Sequence, residues 1–491
     1  MYAGHYGWKG ISLKDTLLIL DLDHVNSRTI ARKLRAERID CRIVPGNTAT
    51  DAIAALEPRG LVIACSPAGN PPVIPGWSFP ANGIPVLALG NAAGILFGRS
   101  IACQEGQATV PAVKTVDFSS DPLTRGMENS ERLLCCYCPD RLPDGWLAIA
   151  RTDGYAVGYR HADYPVYGMQ FSVEQNDPDG IKLLVNFAVD ICGCAQWWDE
   201  QAFVEGALDV IRRKAGGRPA VCAMTGGLSS GVAAMLAHKA LNGNFRCLFI
   251  DTGLLRESES DDVMAYYRDQ AGIDVTLVPA QERFLTALAG LEEPKAKRQA
   301  VSKELQAILD EETGKAASSV IIRGTNYSDI LANDETRPSI QSGVDVIEPV
   351  RELFRDEIRR SGEFIGMPQH ICARQPFPGT GLAMRIQGEA NQASLDTLRT
   401  ADAIFQEEVE LSSQSKKLLH HFAVLGSLQG IGPVIYLRAV HAGEGETAYA
   451  ARLPYDLLER IVERIMRIRP EVRRVFYDLT PGKGYCGAEW L

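Results

Sequence analysis

Apolar and polar positions alternate in blocks along most of the chain. From Thr16 an aliphatic run, Leu17 to Leu20, gives way to a loop and then to a helical period over Thr29 to Arg38. Further apolar runs follow at Cys41 to Val44 and Gly60 to Ala64, with another helix between them. Near-continuous apolar strands joined by helices and short loops predict a parallel sheet covered on both faces. The pattern recurs from Ala220. A run of small apolar residues, Ala220 to Ala223, meets a turn at Thr225-Gly226-Gly227. Val232, Met235, Leu236 and Leu241 then fall at helical spacing, and a second run, Cys247 to Ile250, closes at Asp251. Two parallel strands bridged by a helix leave the first turn at the carboxyl edge of the sheet, where open α/β sheets bind ligands. Glycines let backbone N–H groups converge, and the helix N-terminus adds partial positive charge, so the turn suits an anion such as phosphate. On the glycines alone, an ordinary tight turn is the plainer reading.

The rest of the chain divides along similar lines. A helical stretch from Glu200 to Lys214 and a Gly-Gly-Arg-Pro link precede Ala220, and a strand is expected at Ser318 to Ile322. Beyond residue 374 the pattern gives a helix through Arg399 to Phe405 and a strand at Leu437 to Val440. A long amphipathic helix after Leu453-Pro454-Tyr455-Asp456 and a closing strand, Arg474 to Leu479, complete it. A chain of 491 residues exceeds what one core sustains and suggests about three units. We expect an N-terminal arm at 1–15 and domains at 16–198, 199–373 and 374–491. The fold class is α/β, with two doubly wound parallel-sheet domains followed by a smaller α+β domain.

Composition narrows the partners. Net charge is −10, with Lys and Arg scattered, so nothing calls for a nucleic acid polymer. No signal-like N-terminus and no apolar segment long enough for a bilayer is evident, and the cysteines lie mostly in apolar runs. These features lead to the expectation of a cytoplasmic protein with reduced thiols and no membrane partner. Cys135-Cys136-x-Cys138 and Cys192-x-Cys194 fit no standard zinc spacing and read as buried thiols.

Several multi-residue motifs carry a resemblance. Thr225-Gly226-Gly227-Leu228-Ser229-Ser230-Gly231 resembles the SGGxDSS pyrophosphate loop of ATP pyrophosphatases. Asp251-Thr252-Gly253-Leu254-Leu255-Arg256 resembles the DTGLLR of the GMP synthase family. Gly324-Thr325-Asn326-Tyr327-Ser328-Asp329 is similar to its GTxYPD turn, and Glu348 to Glu357 to its EPLRxLFKDEVR segment. Arg374 to Arg385 is similar to RHPFPGPGLAIR. The resemblance covers nearly everything from Thr16 onward. It implies a class I glutamine amidotransferase-like domain, an ATP pyrophosphatase domain and a C-terminal domain for dimerisation and acceptor binding. It also implies ATP and Mg²⁺ as cofactors, a purine nucleotide such as XMP and ammonia as reactants, and a homodimer.

The departures fall on chemistry. In the amidotransferase-like domain the elbow Pro85 to Gly94 carries Ala92 where the family has its Cys nucleophile. Tyr167 to Glu174 resembles YGVQFHPE, with Glu174 kept and Ser172 standing in the place of the general base. The oxyanion loop reads Ala64-Cys65-Ser66-Pro67. A methyl group cannot attack a carbonyl, and without the nucleophile the remaining groups do not act as a unit. Glutamine hydrolysis is therefore expected to be absent.

In the second domain Ser229 replaces the loop Asp and Gly231 the second Ser, removing a carboxylate expected to help hold Mg²⁺. The resemblance implies nucleotide contacts from Thr225, Gly226, Gly227, Leu228, Ser229, Ser230, Gly231, Asp251, Gly324, Thr325 and Asp329. It implies acceptor contacts from Arg298 of the Glu293 to Arg298 segment, and from Arg385, Lys483 and Glu489. Catalytic and metal-binding groups are not identified by residue. The leading expectation is an ATP-dependent, AMP-forming ligase that adenylates XMP or a related nucleotide for attack by ammonia or another nitrogen nucleophile. The alternative is an inactive scaffold or nucleotide-sensing paralogue.

Overall fold

The structure, a computed structural model, describes residues 15–22, 24–65, 83–97, 112–134, 142–171, 173, 178–224, 226–314, 320–331, 345–374, 380–442 and 448–481. The chain forms two compact units, Met1–Ala202 and Phe203–Leu491. The regions expected as separate second and third domains thus lie together in the second unit.

The first unit is built on a nine-stranded sheet in the order β2-β1-β3-β4-β9-β8-β7-β5-β6. The strands are β1 (Leu17–Asp21), β2 (Cys41–Pro45), β3 (Gly60–Cys65), β4 (Val86–Gly90), β5 (Ala112–Phe118), β6 (Ser130–Leu134), β7 (Trp146–Thr152), β8 (Tyr155–His161) and β9 (Val166–Met169). β2, β1, β3, β4 and β9 run parallel. The remaining strands extend this half as an antiparallel meander. Leu17 to Leu20 are fully buried because both faces of β1 are covered, which explains the unbroken apolar run. The helix expected over Thr29 to Arg38 spans His24–Ala36, and the chain leaves it through Arg38, at φ 62°.

The second unit holds two sheets. The first is a parallel sheet ordered β12-β11-β10-β13-β14. Its strands are β10 (Ala220–Met224), β11 (Phe245–Asp251), β12 (Val275–Pro279), β13 (Val320–Ile322) and β14 (Val346–Ile347). Strand order reverses between β10 and β13, and a crevice opens at the carboxyl edge of such a switch point. In the second sheet β15 (His420–Leu428), β16 (Gly432–Ala442) and β17 (Ala448–Ala450) run antiparallel, and β18 (Arg474–Tyr477) pairs in parallel with β16. The helices Gln392–Leu411 and Tyr455–Ile468 pack on it. Asn391 caps the first of these, its side chain accepting from Ser394 N at 3.0 Å.

One apolar core joins the two sheets. It runs from Val221, Leu248 and Ile250 through Leu254 and Leu382 to Leu398, Phe405, Ile435 and Ile461. Within it sits a knot of charge. Asp402, 1% exposed, accepts from Ala423 N at 2.9 Å and lies 2.9 Å from Arg256 Nε and 3.6 Å from Arg385 Nη1. Arg385 has no exposed surface and its guanidinium lies over the Phe422 ring, 4.3 Å from the centroid. His420 and His421 are buried beside it; burial, the largest cause, pushes their pKa values down to about 3 and about 4.

No described helix is long and apolar enough to cross a membrane. Two outcomes follow from the charged knot. Asp402→Ala removes the carboxylate facing the buried Arg385 and the part-buried Arg256 and is expected to destabilise the second unit by about 3–5 kcal/mol; a calorimetric transition matching wild type would contradict this. The folded histidines bind fewer protons than the unfolded chain below the ordinary histidine pKa of about 6.5. Their contribution to stability is therefore complete above that pH and is lost as pH falls towards the folded values. Melting temperature should drop on acidification through this window, and His421→Gln should flatten the drop.

Candidate functional site

In the first unit the chain leaves β4 through Gly90, in the left-handed region at φ 64°, and enters a tight helical turn, Asn91–Phe97. Gly90 N donates to Phe171 O at 3.2 Å, which ties the elbow to the chain just beyond β9. Ala92 is fully buried on this elbow, and Cys65, at the end of β3, stands in register with Gly90. The elbow is thus built, with a methyl group at the position where an attacking side chain would project. Ser172 and Glu174 lie outside the described residues, as do Ser66 and Pro67.

Two thiols of this unit, Cys192 and Cys194, are held protonated. Burial is the main cause, raising Cys192 well above the ordinary range and pushing Cys194 up to about 12. Among the described residues no three His, Cys, Asp or Glu groups converge as a metal site.

The second unit assembles the nucleotide-binding candidates at its switch point. Gly226, at φ 79°, turns the chain out of β10, and Gly227 caps the following helix, Leu228–Leu241, without a side-chain hydrogen bond. The first amides of that helix therefore face the turn, and the glycine cap offers them no side chain. Ser230 Oγ donates back to Gly227 O at 2.9 Å. Gly324, beyond β13, comes so close that a Cβ there would overlap the amide nitrogen of Ser230. Only a glycine permits this approach, so the turns after β10 and β13 meet backbone to backbone.

Ser229 is tied across the same gap: Asn326 Nδ2 donates to its Oγ at 3.0 Å. Thr325 Oγ1 donates to Glu348 Oε1 at 2.6 Å. Asp329 accepts from Asn326 N at 2.9 Å and so fastens the start of the Tyr327–Leu331 helix. Asp251 accepts from Gly253 N at 3.0 Å and from Gln281 Nε2 at 2.8 Å. Thr225 lies outside the described residues, whereas Leu228 is buried under the turn. Gly231 has a specific neighbour, since a Cβ there would fall inside the Tyr267 hydroxyl. The tyrosine ring occupies the space a larger residue would need.

Of the four expected acceptor residues, Arg298 and Arg385 are described. Arg385 is wholly buried against Asp402 and Phe422, so its charge is spent inside the core and not on a ligand surface. Arg298 is half-buried near the start of the Pro294–Gly314 helix. Lys483 and Glu489 lie outside the described residues.

Two residues escaped the sequence reading. Lys297, within a charge run that suggested a solvated face, is fully buried; its Nζ donates to Ile386 O at 2.7 Å, and burial lowers its pKa. Glu259 reaches the pyrophosphate-type turn, its Oε1 3.5 Å from where a Cβ on Gly226 would stand. Its Oε2 accepts from Arg256 N at 3.2 Å, and burial, the leading cause, raises its pKa against that hydrogen bond. Lys297 follows a 3.6-residue period too short to distinguish from a surface helix start, and Glu259 had no partner visible in sequence.

Residues 407–490 match the family described as GMP synthase C terminal domain. A GMP synthase [glutamine-hydrolyzing] from Ruminiclostridium cellulolyticum is 33% identical over 513 residues, spanning 97% of this chain and 99% of the relative. One from Clostridium botulinum is 33% identical over 518 residues with the same coverage. Among solved structures, an NMN synthetase from Francisella tularensis aligns over 58% of this chain and all of its own, at 15% identity and a TM-score of 0.33, a likeness too slight to bear on chemistry.

The packing at Gly231 yields an outcome to measure. Gly231→Ser should destabilise the second unit by about 1–3 kcal/mol through overpacking, and adding Tyr267→Phe should recover part of the loss. Equal melting of Gly231→Ser and wild type would show that Tyr267 yields at no cost.

Proposed function

The chain belongs to the GMP synthase family, a family of ATP-dependent ligases, and on that footing we propose that it is an AMP-forming ligase that does not hydrolyse glutamine. The observation that carries the ligase reading is the meeting of the Gly226-Gly227 turn with Gly324 at the switch point of a parallel sheet. A left-handed glycine, an uncapped helix start and a second glycine against it make a cradle of backbone donors suited to a polyphosphate. Asp251 and Glu259 supply the carboxylates that would hold Mg²⁺, which shields the phosphate charge when bound.

In this reading a carbonyl oxygen of XMP, or of a related purine nucleotide, attacks the α-phosphorus of ATP and pyrophosphate departs. The turn residues Gly226 to Ser230 stabilise the charge on the leaving group through N–H donors. Ammonia, or another nitrogen nucleophile, then attacks the activated carbon and expels AMP. The two turns fix orientation, a contribution that depends on their rigid backbone contact.

The absence of glutaminase chemistry rests on Ala92, buried on an elbow that is otherwise formed. The nitrogen therefore comes from solution or from a partner. A second reading, a nucleotide-binding subunit without turnover, draws on Ser229, whose hydroxyl is held by Asn326 and carries no charge for a metal. The family's C-terminal region suggests a homodimer.

Purified protein with MgATP, XMP and either ammonium or glutamine separates these readings. We expect AMP, pyrophosphate and GMP with ammonium, and none of them with glutamine as the sole nitrogen source. Turnover with glutamine would overturn the pseudo-glutaminase reading. Nucleotide binding without AMP under any nitrogen source or purine nucleotide would leave the non-catalytic subunit.

A further inference from the structure

Ser229 is the second residue of the helix Leu228–Leu241 and stands two positions after Gly227. Its main chain lies against the other turn, since a Cβ on Gly324 would fall 2.6 Å from the carbonyl carbon of Ser229. The residue is half-buried at this seam, so a ligand held by the two turns can touch it.

The hydrogen bond that reaches Ser229 across the seam has a fixed direction. Asn326 Oδ1 accepts from Asp329 N at 3.1 Å, and a backbone amide can only donate. The other end of the Asn326 amide, Nδ2, therefore meets Ser229 Oγ at 3.0 Å, and it too can only donate. A return bond from Asn326 N to Asp329 Oδ2, at 2.9 Å, closes the ring that holds this amide in place. Ser229 Oγ is thus obliged to accept from Asn326, and its own proton must go elsewhere. Gly227 O, at the helix cap, is already engaged by Ser230 Oγ at 2.9 Å and by Gly231 N at 3.0 Å. Among the described residues no acceptor takes the Ser229 proton.

The seam consequently presents donors: the open amides of the helix start and a hydroxyl proton steered from behind by Asn326. Phosphoryl oxygens, which only accept, match such a set. A cation does not, because it needs oxygen lone pairs and Asn326 already occupies one of those on Ser229.

We propose that the Ser229 hydroxyl donates to a non-bridging phosphoryl oxygen of the pyrophosphate portion of the nucleotide, oriented by Asn326, so that this seam holds the anion directly with no cation between them. The proposal rests on the nucleotide reading of the turn and deepens it. It leaves any Mg²⁺ to the carboxylates of Asp251 and Glu259, and it gives the neutral residue at 229 a ligand role of its own.

The experiment is calorimetric titration of the full chain with inorganic pyrophosphate, once in EDTA and once with excess Mg²⁺. Wild type is expected to bind pyrophosphate in EDTA. Ser229→Ala should weaken that binding about tenfold or more, the loss of a hydrogen bond to a charged group, whereas Ser229→Thr, which keeps a hydroxyl, should stay within about threefold. Asn326→Leu, which removes the steering donor, should fall between the two. Ser229→Asp sets a carboxylate against the anion, so its binding in EDTA should fall below that of Ser229→Ala and recover with Mg²⁺. The gain on adding Mg²⁺ should be about tenfold or more larger in Ser229→Asp than in wild type.

Four results would overturn the proposal. If wild type binds pyrophosphate only with Mg²⁺, or if Ser229→Ala binds it in EDTA as well as wild type does, Ser229 is not the donor and the nucleotide reading of the turn stands. If Ser229→Asp gains no more from Mg²⁺ than wild type, a carboxylate at this position does not meet the anion. If Ser229→Ala weakens pyrophosphate only in step with a lowered melting temperature, and Ser229→Thr does not recover it, the residue acts on the fold alone. If wild type binds neither pyrophosphate nor MgATP, the nucleotide reading fails and this inference fails with it.

Discussion

The second unit depends on the way the loop after β11 is held. Leu382 N donates to Leu254 O at 2.7 Å, and Arg399 donates to Gly253 O at 2.7 Å and to Leu255 O at 3.0 Å. Gly381, at φ 69°, lets the chain pass where a Cβ would stand 2.5 Å from Leu254 Cβ. Arg256 then reaches Asp402 in the core. Three consecutive residues are thus clasped by their carbonyls from a segment more than a hundred positions later, and the fourth by its charge. Because Asp251 opens this loop, the position of one wall of the crevice is set by the C-terminal region. The same contacts explain why the parallel sheet and the antiparallel sheet share one core and form one compact unit.

That clasp also accounts for the buried charges. Two guanidinium groups around one carboxylate would be unfavourable in an apolar interior without further compensation. Here Asp402 takes an amide hydrogen bond from Ala423, Arg385 lies on Phe422, and the adjoining histidines are kept neutral by burial. Lys297 adds a further fixed point by donating to the carbonyls of Ile386 and Ala383. Arg385 and Lys297 are therefore structural members of the core.

The altered positions are individually accommodated. Gly231 stands where Tyr267 presses its hydroxyl, so the absence of a side chain there is matched by a neighbour that fills the space. Ser229 is engaged by Asn326 from the opposite turn. In the first unit Ala92 is buried on an elbow whose geometry is set by Gly90 and its hydrogen bond to Phe171, neither of which involves a nucleophile. An elbow held by backbone alone keeps its geometry whatever side chain stands at Ala92.

By itself the sequence determined β1, β2, β3, β10, β11 and β13 of the two parallel sheets and the glycine turn after β10. It did so because fully buried strands must be apolar throughout, as β1 is, and because a left-handed turn selects glycine, as at Gly226. The absence of a nucleophile at Ala92 was equally legible, since a methyl group has one chemical meaning in any fold. Charge was not legible in this way. Arg385 looked like a ligand residue and is core, Lys297 looked solvated and is core, and Glu259 looked unremarkable and stands beside the turn. The antiparallel half of the first sheet and the apolar core shared by the two sheets of the second unit were likewise hidden. The energy of an ionised side chain depends on partners brought from distant positions and on how much water remains around it, and tertiary structure alone decides both.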